Sequence, residues 1–250
     1  MGAPTETSDS PGAGLVGDVL PRTAAFGRPT PAPPRQRWRL VLSRSADAPD
    51  LGGRELTDVW ESALELSDLP AFVPGGRARA RVAFGAPLMA GLIAEAELAD
   101  IVLTGFEPVW RVRTALEGCL PQGWRLVDLY DVWLGAPPLA GQVIAADYRI
   151  QIHGAEAADI ARGVAAVLAA PHVQRERQKG AATVTYDLRP LIAHLDVVAP
   201  GPPVVLGART RFHPELGTGR PSEVVGAIGD VLGVPLTVVA LVREHLVLAE

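Results

Sequence analysis

Two small α+β units in tandem, each running strand–helix–strand–strand–helix–strand, are what this sequence predicts, and three observations predict them. Residues 37–134 and 147–250 scan with the same succession of period-2 and helical apolar patterns. A Gly/Pro segment over residues 135–146, with Gly135, Pro137, Pro138 and Gly141, separates them as a linker. A hydrophobic content of 48% over 250 residues is enough to bury a core in each.

Residues 1–36 are rich in Gly, Pro, Ala, Ser and Thr, so too little apolar surface is present to offset the entropy of ordering, and a disordered tail is expected. Leu15, Val16, Val19 and Leu20 form its one apolar patch. The first unit opens with Trp38, Leu40 and Leu42 alternating with Arg37, Arg39 and Val41, the signature of a strand with one buried face. Asp47, Pro49, Asp50 and Gly52–Gly53 mark a loop. A helix over 54–66 follows, placing Leu56, Val59, Trp60, Ala63 and Leu64 on one face. Arg77, Arg79 and Arg81 then alternate with Ala78, Ala80 and Val82, which predicts a second strand through Phe84. A third strand is expected over 99–104, a second helix over 108–120 with Pro108 in its first turn, and a fourth strand from Trp124.

The second unit repeats the order. Tyr148, Ile150 and Ile152 predict a strand, and an Ala-rich helix runs to residue 169, stopped by Pro171. Residues 183–188 predict the next strand, with 204–212 as its partner. Pro221 starts a helix that buries Val224, Val225, Ile228, Val231 and Leu232, and 236–248 closes the unit as a strand. The order βαββαβ is the split-βαβ, ferredoxin-like arrangement, so the fold class is α+β, built of tandem ferredoxin-like units with antiparallel sheets.

Charge and cysteine content narrow the function. A net charge of −5 exerts no global pull toward nucleic acid or anionic membrane, so any basic surface is local. The single cysteine, Cys119, excludes an intrachain disulfide and multi-cysteine metal sites, and it falls on a buried helical stripe. No apolar run of roughly 18 residues and no charged leader is present, so a cytoplasmic protein without membrane segments is expected. His153, His172, His194, His213 and His245 show no metal-ligand spacing, and neither glycine-rich stretch matches a phosphate-binding fingerprint. No catalytic set and no cofactor is implied.

The face of the first sheet that its helices leave bare should carry Arg39, Arg79, Arg81 and Arg77, a row suited to phosphate. It lacks the aromatics on which bases stack, since Val41, Ala83 and Val127 stand there. The competing assignment pairs these arginines with Asp100, Asp128 or acids of the other unit. Arg189 and Arg220 complete the set of candidate contacts to nucleic acid or a partner. Arg175, Arg177 and Lys179 form a further basic run, diluted by Glu176.

Several short segments in fixed order carry a family resemblance. They are Arg81–Leu88, Ala94–Glu97 leading into Asp100–Leu103, Leu120–Pro121 with Gly123–Leu126, Ala136–Leu139 through Ala145–Tyr148, Tyr186–Leu191, and Arg220–Val224. In these the chain resembles the radical SAM-linked proteins, bacterial domain of unknown function 2344, encoded beside or fused to radical SAM enzymes. It departs from that family's polar motifs at Gly52–Leu56 and Pro74–Arg77, where relatives carry Ser-His-Leu-Asp-type and Gly-Phe-Asn-Pro-like sequences. With no Cys-x3-Cys-x2-Cys cluster, the resemblance makes this chain the linked partner rather than the radical SAM enzyme. It implies a non-catalytic accessory protein that works with a radical SAM protein and binds RNA. The alternative is a metal-free RNA-processing or RNA-modifying enzyme, since tandem ferredoxin-like units also build CRISPR repeat-cleaving endoribonucleases.

Overall fold

The protein, seen in a computed structural model, is described over residues 1–2, 32–180 and 182–249. The tail expected over residues 1–36 therefore falls almost wholly outside the described residues. From residue 32 onward the chain is a mixed α+β fold around one large, mostly antiparallel sheet. Its first half holds β1 (Gln36–Arg44), α1 (Gly53–Leu66), β2 (Ala83–Phe84), β3 (Ile93–Leu103), α2 (Val109–Glu117) and β4 (Trp124–Val132). A short α3 (Leu139–Gln142) leads to β5 (Val143–His153), α4 (Ala157–Ala169), β6 (Gln174–Lys179) and β7 (Ala182–Asp187). The chain ends with β8 (Ile192–Ala199), β9 (Val204–His213), β10 (Gly217–Thr218), α5 (Pro221–Leu232) and β11 (Thr237–Leu248).

In the first half the strand order is β4-β1-β3-β2, and α1 and α2 lie on one face. Leu56, Trp60 and Leu64 of α1 and Val112 and Leu116 of α2 meet Trp38, Leu40, Leu42, Ile101 and Leu103 there. Each such buried Leu or Ile contributes about 1.5–3 kcal/mol. Trp60 makes edge-on contacts with Trp124, 5.1 Å between centroids, and with Phe84, 5.9 Å. In the second half the order is β11-β5-β9-β8, and α4 and α5 cover Tyr148, Ile150, Ile152 and Leu206. Pro221 opens α5, and Gly233, in the left-handed region, closes it.

Three expectations need correction. Residues 77–82 form no strand: Arg77 bonds Glu61 at 2.7 Å, and Arg79 bonds Ser62 and Glu65, so α1 holds this stretch off the sheet. Of this segment only Ala83–Phe84 pairs with β3, so the Ile93 end of β3, paired with β1 on one side, has its other edge open. There β11 joins it in parallel, Val242 opposite Ile93 and Arg243 opposite Ala94, and the two expected sheets become one. Second, 183–188 does not pair with 204–212. β7 makes a separate hairpin with β6, and β8, which the sequence pattern conceals, pairs with β9. Third, residues 139–146, expected to lie in a linker, form α3 and the start of β5.

The seam between the halves holds a buried ion pair. Arg243 is 2% and Glu97 0% exposed at their side chains, and the two form an ion pair. Arg243 Nη1 also donates to the Pro87 carbonyl at 3.2 Å, while Glu97 Oε2 and Arg243 Nη2 have no hydrogen-bond partner among the described residues. Full burial pushes the Glu97 carboxyl above its ordinary range, against the pull of Arg243 and Arg44. Removing one partner strands a buried charge, so Arg243→Ala should cost about 3–5 kcal/mol, and Glu97→Leu with Arg243→Met should recover most of that. Urea unfolding of both variants checks this; a double variant no better than the single would count against it.

Gly123 supplies a second test. Its φ is +76°, and a Cβ there would sit 2.4 Å from the Ala48 amide nitrogen, a backbone clash that no rotamer relieves. Gly123→Ala should therefore lower stability by more than the roughly 1 kcal/mol expected for a left-handed glycine in open space. Gly76→Ala, at φ +80° with nothing within 4 Å, is the reference in the same unfolding series.

Candidate functional site

The six nominated arginines do not converge. Arg39 is 3% exposed, with Nε donating to Asp100 Oδ1 at 2.8 Å and Nη2 to Oδ2 at 3.1 Å. Arg37 shares the same carboxylate and donates to the carbonyls of Ala136 and Pro137 at 2.8 and 3.0 Å. Burial opposes the Arg39 charge, but Asp100 outweighs it and raises the pKa above its ordinary value. The residues leading into α3 thus close over the arginine face of β1. Arg77 and Arg79 are held by α1, as above. Arg189 reaches back to the Leu168 carbonyl in the last turn of α4 at 3.1 Å and to Ile192. Arg220 is exposed at the start of α5, and Arg81 is exposed beside β2 with no hydrogen bond or ion pair among the described residues.

The remaining basic and thiol groups are structural in their contacts. Arg175 binds Asp230 and the Glu223 carbonyl on α5, and the Arg177 guanidinium lies 5.0 Å over the Tyr186 ring. The run 175–179 is thus a strand folded onto a helix. Cys119 is half-buried just past α2 and its thiol donates to the Leu116 carbonyl at 3.3 Å; burial pushes its pKa up.

A different constellation stands on the second half of the sheet, on the face turned away from α4 and α5. Strand register places His194 of β8 opposite Arg209 of β9, Arg209 opposite Asp147 of β5, and Asp147 opposite His245 of β11. One polar row therefore crosses four adjacent strands. Arg209 grips Asp147 with both ends of its fork, Nε to Oδ1 at 2.6 Å and Nη2 to Oδ2 at 2.7 Å. His245 Nε2 lies 2.8 Å from Asp147 Oδ2, and His194 Nε2 lies 3.3 Å from Asp196 Oδ1. Beside the row, Arg149 links Glu244 at 2.6 Å and Glu95, and Arg211 is exposed and donates to the Pro190 carbonyl at 2.8 Å. Asp147, His194, Asp196, Arg209, Arg211 and Glu244 line a hollow of about 690 Å³, and His245 and Arg149 stand beside it, bonded to Asp147 and Glu244.

Two local irregularities aim both histidines. β8 slips register between Ile192 and His194, and β11 slips between Arg243 and His245. Each bulge inserts one residue, so Leu195 and Leu246 stay in the core while His194 and His245 point outward. Gly207 completes the arrangement opposite Asp196, where a Cβ would come within 2.7 Å of Asp196 Oδ1. Spacing in sequence does not reveal this site, because its residues come from four separate strands. The one available signal is the broken alternation around Ala193 and Glu244.

The row pairs two imidazoles with carboxylates and sets guanidiniums between and beside them, which suits holding an anion or moving a proton. Among the described residues, no group of three or more His, Cys, Asp or Glu could hold a metal ion. The Arg209 hydrogen bonds hold Asp147 below the ordinary carboxylate range, against partial burial, with His245 and His194 adding to the depression. A depressed folded-state pKa contributes stability above the unfolded value, near 3.8, that is lost as pH falls through the folded one. Asp147→Asn should thus be destabilising at pH 7, with the gap from wild type closing as pH drops below about 4. Unfolding midpoints at pH 7 and pH 3 check this, and an equal gap at both would argue against the pairing.

No curated protein matches the chain. Two solved structures resemble it in backbone course. One is the archaeal box H/ACA sRNP Nop10–Cbf5 complex, at 13% identity and a TM-score of 0.42, with 82% of this chain aligned. The other is a Cbf5–Nop10–Gar1 complex, at 12% identity and a TM-score of 0.46, with 83% aligned. The chain spans under half of each of those chains, 46% and 49%. No membrane-spanning helix occurs among the described residues. Residues 37–220 match the family described as an uncharacterized protein conserved in bacteria, DUF2344, and the chain belongs to that family.

Proposed function

We propose that this chain is a non-catalytic accessory module that holds RNA beside a partner radical SAM enzyme. The observation that carries it is the uncovered face of the second half, where a full row of charged and imidazole side chains faces solvent and a hollow. A sheet face left bare by its helices is where this architecture takes a ligand or partner. The strand orders β4-β1-β3-β2 and β11-β5-β9-β8 support reading the chain as two ferredoxin-like units fused through β3 and β11. Arg81 and Arg220, both exposed, remain candidate phosphate contacts at the periphery. Arg77, Arg79 and Arg189 would reach RNA only by exchanging their present partners.

A protein partner is supported by a second surface. Gln36 donates to Asp131 and accepts from the Glu107 amide, drawing the segments that carry Phe106, Trp110 and Trp133 toward one end of the sheet. These three are 73%, 67% and 78% exposed, an unusual display of aromatic area for a surface with no partner. The alternative, a metal-free RNA-processing enzyme, is favoured by one feature, the His245–Asp147 pair, a candidate base with an orienting carboxylate.

Tagged protein purified from its native cell should carry both a radical SAM enzyme and RNA. RNA affinity should fall steeply between 50 and 200 mM salt, as expected where several phosphates are neutralised. Recovery of neither partner at low salt would overturn the proposal. RNA cleavage that is lost in His245→Ala would favour the enzyme instead.

A further inference from the structure

We propose that the hollow on the open face is a phosphate-ester site that becomes receptive when His194 and His245 are protonated. This rests on the RNA-binding proposal only for where the phosphate comes from; the site itself follows from the charges on the four strands and their neighbour. In the lining of the hollow β9 brings Arg209 and Arg211, β5 brings Asp147, β8 brings His194 and Asp196, and β11 brings Glu244; at its edge stand His245, bonded to Asp147, and Arg149, bonded to Glu244 and to Glu95 of β3. Three guanidiniums thus face four carboxylates. With neutral imidazoles the face carries one net negative charge and repels a phosphodiester. Protonating both imidazoles turns it to one net positive charge, a change that histidine undergoes within the physiological pH range.

Geometry adds to charge. Arg209 uses Nε and Nη2 on Asp147, and Arg211 uses Nη1 on Pro190, so each retains donors directed elsewhere. His194 and His245 present Nε2 to their carboxylates, which leaves Nδ1 as a donor in the protonated ring. The carboxylates Asp147 and Asp196 thus orient the two rings, and the phosphate oxygens would take the outward donors. Both histidines reach this face only through their bulges, and Ile144, Ala145 and Val198 give the hollow an apolar floor and rim.

The test uses the full chain and two probes, a single-stranded oligouridylate without terminal phosphate and uridine 5′-monophosphate. Binding is measured at pH 6 and pH 8 by calorimetry, with imidazole ring-proton NMR signals followed in parallel. The oligouridylate should bind about tenfold more tightly at pH 6, moving two histidine signals. The pH dependence should vanish in His194→Gln/His245→Gln, while Arg211→Gln weakens binding at both pH values. Both histidines are exposed and glutamine keeps a donor, so the variants should stay folded, as circular dichroism will verify. Selective binding of the monophosphate would uphold the site and assign it to a small phosphorylated ligand, removing the RNA source alone. Binding by neither probe, or binding with the same affinity at both pH values that survives the histidine substitutions, would overturn the proposal.

Discussion

The buried pair of Arg243 and Glu97 is the constraint on which the rest of the molecule turns. Both side chains are buried, and among the described residues each leaves one polar atom without a partner. Two charges taken from water cost several kcal/mol apiece, and their attraction offsets this only in a tightly defined geometry. The pair thus contributes specificity more than stability: it fixes which residues of β11 lie against β3. The parallel contact there is only two residues long, too short to set its own register by backbone hydrogen bonds. A slip of one residue would turn Arg243 toward the opposite face and strand Glu97.

That register decides which sheet faces remain available. With β11 seated on β3, Leu98 and Val41 of the first half pack against Leu139, Val143 and Leu246 in the core of the second. The face of β1 that bears Arg37 and Arg39 then lies under residues 136–142, and Asp100 must sit between the two guanidiniums to make their burial tolerable. On the other side of the seam no segment among the described residues covers Asp147, Arg209 and the two histidines. The same chain therefore spends one set of charges on joining its halves and keeps another in contact with solvent.

Much of the fold was legible in the sequence, for identifiable reasons. The β1 alternation around Trp38, Leu40 and Leu42, the α1 stripe from Leu56 to Leu64, and the Pro221 start of α5 each follow from one-sided burial and backbone chemistry, both local properties. What failed was decided by partners distant in sequence. Arg77–Ala78–Arg79–Ala80 has the alternation of a strand, but Glu61 and Glu65 on α1 hold its arginines. Asp100 was a candidate partner for Arg39 from the outset, yet nothing local chose it over solvent. β8 was concealed because its bulge places Ala193 and His194 on the same side, which breaks the period on which strand recognition depends.

The same bulges bear on whether the open-face row is more than a soluble surface. Charged residues on an exposed sheet face discourage edge-to-edge association, and regular strands carrying Arg and Asp would accomplish that. A bulge interrupts ladder pairing, so two of them at flanking strands work against the fold unless what they position matters. Both place a histidine outward, both histidines meet a carboxylate, and the strands between contribute the Arg209–Asp147 fork. Gly207, at the close approach of Asp196, is a further concession of backbone stiffness to the same arrangement. Solubility requires none of these concessions, whereas a site that must present two imidazoles on either side of a guanidinium requires all of them.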